Sequence, residues 1–228
     1  MFDSPLAYSL VRRGLKNGHL FINPHDLRLW GIGPHRQLDD SPYGGGPGMV
    51  LKPEPIFRAV RDIRACSGIN APVVYLSPQG EKLTPSLARE LAGHEQLIFL
   101  CGRYEGVDQR VIDHLVDREV SLGDFVVAGG EIPALLLMEA VIRFVPGVVG
   151  DSESVRLDSF SDGGLDYPHY TRPVEFEGMT VPEALRSGSH KKIAEWRRDA
   201  AEEATRRKRP DLAPPLPENA VPFRKKKN

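Results

Sequence analysis

The sequence predicts an α/β protein with a parallel sheet, followed by a small helical C-terminal region. Three observations predict it. Short apolar runs alternate with stretches of helical periodicity as far as about residue 150, the pattern of strands joined by crossover helices. Glycine-rich turns follow the apolar runs, where open α/β sheets place their ligands. Beyond residue 170 the chain turns polar, basic and helical in spacing.

Taken in order, residues 18–30 alternate and place a strand around Leu20-Phe21-Ile22, and residues 33–49 form a loop rich in Gly, Pro and Asp. Glu54 to Cys66 spaces Ile56, Val60 and Ile63 on one helical face. Pro72 to Leu76 is a short buried strand running into the turn Ser77-Pro78-Gln79-Gly80. Thr84 caps the next helix and Pro85 takes its first position. Leu97 to Cys101 is a strand, Val107 to Asp117 a helix with Val111, Ile112 and Leu115 inward, and Phe125 to Ala128 a strand. Pro133 opens an apolar helix that ends before Pro146-Gly147. This gives a domain over residues 1–150, a linker over 151–170 and a helical domain over 171–228. Helices span Val181 to Arg186 and Ser189 to Arg207, and the tail is mobile from Lys208.

Charge is unevenly shared. The 228 residues carry a formal net charge of −1, yet from Arg186 onward there are 13 lysines and arginines against 6 acids. An acidic body with a basic C-terminal region fits a polyanion docked at one end, or a solvated helix and tail. No apolar run reaches the length of a membrane span, and no basic-then-apolar leader opens the chain. Cys66 and Cys101 read as buried reduced thiols, which fits a cytoplasmic protein.

Three turns could carry a ligand: Ser77 to Gly80, Gly102 to Gly106, and Leu122 to Gly130. None matches the phosphate-binding P-loop or the dinucleotide fingerprint. Only Lys82 and Arg103 bring positive charge near them, so a neutral or cationic ligand held by backbone groups fits better than a phosphate-rich one.

Seven segments then coincide with one family. They are Asp40-Ser41-Pro42-Tyr43-Gly44-Gly45-Gly46-Pro47-Gly48-Met49, Tyr75 to Gly80, Cys101 to Gly106, Gly123 to Val126 with Gly129-Gly130-Glu131, Arg143 to Val148, Asp158-Ser159-Phe160, and Pro168 to Pro173. In this order they resemble the bacterial tRNA (guanine-N1)-methyltransferases, which methylate the guanine 3′ of the anticodon (position 37). The resemblance implies a SPOUT fold, an α/β domain closed by a deep trefoil knot, a rare exception to the rule against knots. It implies S-adenosylmethionine as methyl donor, bound by Tyr75, Leu76, Ser77, Pro78, Gln79, Gly102, Tyr104, Glu105, Leu122, Gly123, Asp124, Phe125, Val126, Val127, Gly129, Gly130 and Pro133. It also implies a homodimer with active sites at the subunit interface, and a need for magnesium, although no ligand cluster in the sequence identifies a metal site.

Guanine N1 is protonated at neutral pH, so a general base must take its proton during attack. Asp158 matches the family's base, contributed by the other subunit, and Arg143 matches the cation that stabilises charge growing on O6. Arg103 matches a further functional position. Taken singly, Asp158 reads as a turn residue, Arg143 as a surface arginine and Tyr104 as core; His169 shapes the domain junction or touches tRNA. The resemblance also places an apolar strand ending in Phe-Pro before the position of Met1, so the expectation is a chain lacking that strand. An inactive RNA-binding member of the fold is the alternative that this leaves open. A knotted enzyme acting on ribosomal RNA or ribose is a third reading, and Asp158 speaks against ribose as the target.

Overall fold

The computed structural model describes residues 2, 5–150 and 158–213. Contacts divide the chain into two units, Met1–Ser152 and Glu153–Asn228.

The first unit is built on a parallel three-stranded sheet in the order β4-β3-β5, with β3 at Val73–Lys82, β4 at Ile98–Leu100 and β5 at Arg118–Ser121. Parallel strands need crossovers, and helices supply them: α2 (Pro53–Ser67) precedes β3, α3 (Pro85–Ala92) joins β3 to β4, and α4 (Gln109–Leu115) joins β4 to β5. α5 (Glu131–Ile142) follows β5, and α1 (Ser9–Lys16) packs on it. A two-residue antiparallel pair, β1 (Asp39–Asp40) with β2 (Val50–Leu51), flanks the glycine-rich loop between them.

Successive residues of β3 go to opposite faces, and both faces are covered. Val74 and Leu76 pack with Leu87, Leu91, Leu137 and Val141 from α3 and α5. Val73 and Tyr75 pack with Ile56, Val60 and Val111 from α2 and α4. Two-sided burial is why the run reads as continuously apolar. A third cluster, Val11, Ile142 and Val148, seats α1 against the end of α5. Leu137 is fully buried at the centre of the first cluster. Leu137→Ala should therefore lower unfolding free energy by about 2–5 kcal/mol in denaturant titrations.

Caps follow sequence chemistry. The Thr84 hydroxyl accepts from Leu87 N–H at 3.2 Å, and Gly68 ends α2 in the left-handed region at φ 71°.

Several expectations are corrected. The strand around Leu20-Phe21-Ile22 is irregular chain: Leu20 and Ile22 pack on the α1 cluster while Phe21 is 86 % exposed. The strand over Phe125–Ala128 is also irregular and exposed; the strand preceding that turn is β5, whose Arg118 and Glu119 hid it. The turn at Ser77–Gly80 lies inside β3, as an excursion after which pairing resumes. Of the two cysteines, Cys66 is exposed and Cys101 half-buried; both are free thiols.

In the second unit, β6 (Glu175–Phe176) and β7 (Met179–Thr180) form a hairpin that the sequence reading missed. Its turn residues, Glu177 and Gly178, both have positive φ, which suits a two-residue hairpin loop. α6 (Glu183–Arg186) and the 19-residue α7 (His190–Lys208) follow. Ser189 caps α7 through Lys192 N–H, as its sequence position predicts. Among the described residues of this unit only Ala204 and Thr205 are buried.

Candidate active site

In the first unit, the turns after β4 and β5 and the excursion within β3 enclose a cleft of about 350 Å³. That size suits a small cofactor. Sixteen of the seventeen residues expected at the donor site line it: Tyr75 to Gln79, Gly102, Tyr104, Glu105, Leu122, Gly123, Phe125 to Val127, Gly129, Gly130 and Pro133. Asp124 is exposed and lies outside the lining. The lining also includes residues the sequence reading did not assign, among them Gln109, Ile112 and Glu119. Glu119 pairs with Tyr75 across the β3–β5 ladder, a placement that needed the true position of β5.

Backbone bonds fix the first turn. Glu105 N–H donates to Met49 O at 3.1 Å, Leu51 N–H to Gly106 O at 3.0 Å, and Asp108 N–H to Leu51 O at 2.9 Å. Tyr75 rises from β3 against this turn and meets a backbone bond at Val107; burial pushes its phenol above the ordinary range. Tyr104 is exposed and held at φ 58°, a conformation a non-glycine residue adopts at some cost. The turn after β5 closes on the first through Gly130 N–H, which donates to Gly102 O at 2.8 Å. A Cβ on Gly130 would sit 2.7 Å from Cys101 Cα, so this approach requires glycine. Cys101 lies beneath, and burial first, then the Glu131 charge, pushes its thiol up to about 12.

The charged lining residues are Arg103, Glu105 and Glu119. Two carboxylates and one guanidinium favour a cation over a polyphosphate. Arg143 lies in the same unit, exposed just beyond α5 and outside the lining. The turn that follows it is anchored by Arg13, whose Nε donates to Val148 O at 3.0 Å.

The second unit has its own groove, about 1050 Å³, between residues 158–167 and α7. Asp158, Asp162 and Asp166 line it together with Arg197, Arg198 and Arg206. Leu165 N–H donates to Thr205 Oγ1 at 2.9 Å, which ties the loop to α7. His169 is engaged within this unit: its Nε2 lies 2.8 Å from Asp166 Oδ2, and its ring packs on Tyr167 at 4.7 Å. Arg197 covers the same tyrosine ring at 4.7 Å. Among the described residues no group of three or more His, Cys, Asp and Glu side chains gathers as a metal site, and no described helix is long and apolar enough to cross a membrane.

A family model described as tRNA (Guanine-1)-methyltransferase TrmD matches residues 1–215. The chain belongs to this family. Its fold is accordingly of the SPOUT class, with the parallel sheet described above. A tRNA (guanine-N(1)-)-methyltransferase of Geobacter sulfurreducens is 51 % identical over 212 residues, covering 93 % of this chain and 86 % of the relative. Proteins of the same name from Neisseria meningitidis and Dehalococcoides mccartyi are 50 % and 47 % identical, covering 93 % and 95 % of this chain and 85 % and 88 % of theirs.

Proposed function

We propose that this chain transfers a methyl group from S-adenosylmethionine to N1 of a tRNA guanine, the one 3′ of the anticodon. The observation that carries the reading is the cleft: three turns, with five glycines and two carboxylates among the lining residues, in a member of this family. S-adenosylmethionine, when bound, supplies a methyl group on a cationic sulfur. In this reading backbone groups of Leu76 to Gln79, Gly102, Leu122, Gly123 and Phe125 to Gly130 hold its adenosyl portion, while Glu105 and Glu119, which line the same cleft, balance its charge. Asp158 takes the proton from guanine N1, and Arg143 offsets the negative charge that then grows on O6. Magnesium, which the resemblance implies, has no assigned ligands and carries no step here. The trefoil knot, the cytoplasmic setting, and the division at residues 150 and 170 belong to the same reading, and α7 carries Lys191 and Lys192 at its start and Arg206, Arg207 and Lys208 at its end, basic groups that would meet tRNA phosphates.

Radiolabelled methyl transfer into tRNA transcripts tests this. The expected result is label in transcripts carrying guanine at the target position and none in those carrying adenine there. Donor binding without transfer to the guanine form would instead establish an inactive RNA-binding member of the fold.

The same reading includes a homodimer. α5 is mostly apolar, and on the side turned from the core Ile132 and Leu136 are each 52 % exposed, with Glu139 one turn further along. Phe125, Val126 and Val127 stand exposed on the preceding turn. A second copy is the occupant that would cover an apolar helix beside the donor cleft. Ile132→Glu with Leu136→Glu should halve the mass seen in light scattering; an unchanged mass would refute this interface.

A further inference from the structure

The only cation among the described lining residues of the donor cleft is Arg103, and it is held from behind. Glu131, the first residue of α5, lies outside the lining. Its Oε1 accepts from Arg103 Nε at 2.8 Å and from Nη2 at 2.8 Å. The pair lies over Gly129, where an added Cβ would sit 2.6 Å from Glu131 Oε2 and 2.9 Å from Arg103 Nε. Arg103 and Gly129 also form an isolated antiparallel bridge. The ion pair therefore ties the turn after β4 to the start of α5, beside the contact between the two turns that line the cleft.

This geometry has an electrostatic consequence. Donor and product differ by one positive charge, since the sulfonium becomes a neutral thioether when the methyl group leaves. A bare guanidinium on the wall would repel the donor and leave the product untouched. Glu105 and Glu119 contribute a constant negative background, and Glu131 cancels the opposing charge of Arg103.

We infer that Glu131 is a positioning and charge-compensating residue: acting through Arg103, it lets the cleft favour the sulfonium donor over its thioether product. The inference rests on the reading that this cleft holds S-adenosylmethionine.

Calorimetric titration of the full chain with S-adenosylmethionine and with S-adenosylhomocysteine tests it, at low and high salt. Glu131→Gln preserves size and the acceptor oxygen but removes the charge. It should weaken donor binding about fivefold more than product binding at low salt, a difference that narrows as salt screens the charge. Arg103→Gln should shift the ratio the other way, and the double variant should return it close to the parent. A structural role alone would weaken both ligands equally and leave the ratio unmoved by either substitution, which overturns the inference. Should Glu131→Gln not fold, Arg103→Gln alone decides, since an unchanged ratio there overturns it as well. A parent chain that binds neither ligand overturns the cleft reading and takes this inference with it.

Discussion

Asp158→Asn should bind S-adenosylmethionine as the parent does and transfer methyl groups about a hundred- to ten-thousandfold more slowly, the range expected when a general base is removed. The substitution keeps size and hydrogen-bonding capacity but removes the lone pair basic enough to take a proton from guanine N1. Asp158 lies in the second unit, at the edge of the loop tied to α7, while the donor cleft is walled by the first. Donor affinity and turnover should therefore separate cleanly. Single-turnover transfer at saturating donor and tRNA measures the chemical step, and calorimetry measures donor binding. Turnover within a few fold of the parent would remove Asp158 from the mechanism. A matched loss of donor affinity would mean that it builds the donor site instead.

How far this was legible in the sequence depends on the kind of signal. Helices whose ends are marked locally came through: Thr84-Pro85 opens α3 and Ser189 caps α7. The start of β3, Val73–Leu76, is buried on both faces and β4 is wholly apolar with Leu100 buried, so both runs were visible as strands. β5 was not, because only Val120 and Ser121 are buried and the charged Arg118-Glu119 masks the run. Apolarity drew the strand instead to Phe125–Ala128, which is exposed beside the donor cleft. Exposed apolar residues look, in one dimension, like core. The excursion within β3 was unreadable for a different reason: whether four residues leave a ladder and return depends on the partner strand. The glycine turns that the sequence singled out do line one cleft, but the part of Glu131 beside it stayed hidden. This residue reaches the site only through Arg103, 28 positions earlier in the chain.

Gly80→Ala should cost about 1–3 kcal/mol of stability or more, as overpacking against a rigid neighbour does, and weaken donor binding at least about tenfold as the cleft wall moves. At Gly80 the chain returns from the Ser77–Gly80 excursion to the ladder: Leu76 and Glu81 both register with Val120 of β5. A Cβ there would lie 2.3 Å from the Glu119 carbonyl carbon and 2.4 Å from Val120 N. Both are backbone atoms of a paired strand, so no side chain can swing aside to relieve the contact. β3 must lift from β5, and the lift passes directly to Ser77, Pro78 and Gln79, which wall the cleft and are braced by Gln79 N–H donating to Ser77 Oγ at 3.1 Å. It also passes to Leu83 N–H, whose bond to Ser121 O at 2.8 Å closes the strand pair. Gly150→Ala, where nothing among the described residues lies within 4 Å, is the matched control and should leave melting and binding unchanged. Thermal melting with and without S-adenosylmethionine reads both effects together: the Gly80 variant should melt lower and gain less from the ligand. Parental melting and affinity in Gly80→Ala would show that β3 can clear β5 without moving the wall, and the excursion would then lose its place as the element that shapes the donor cleft.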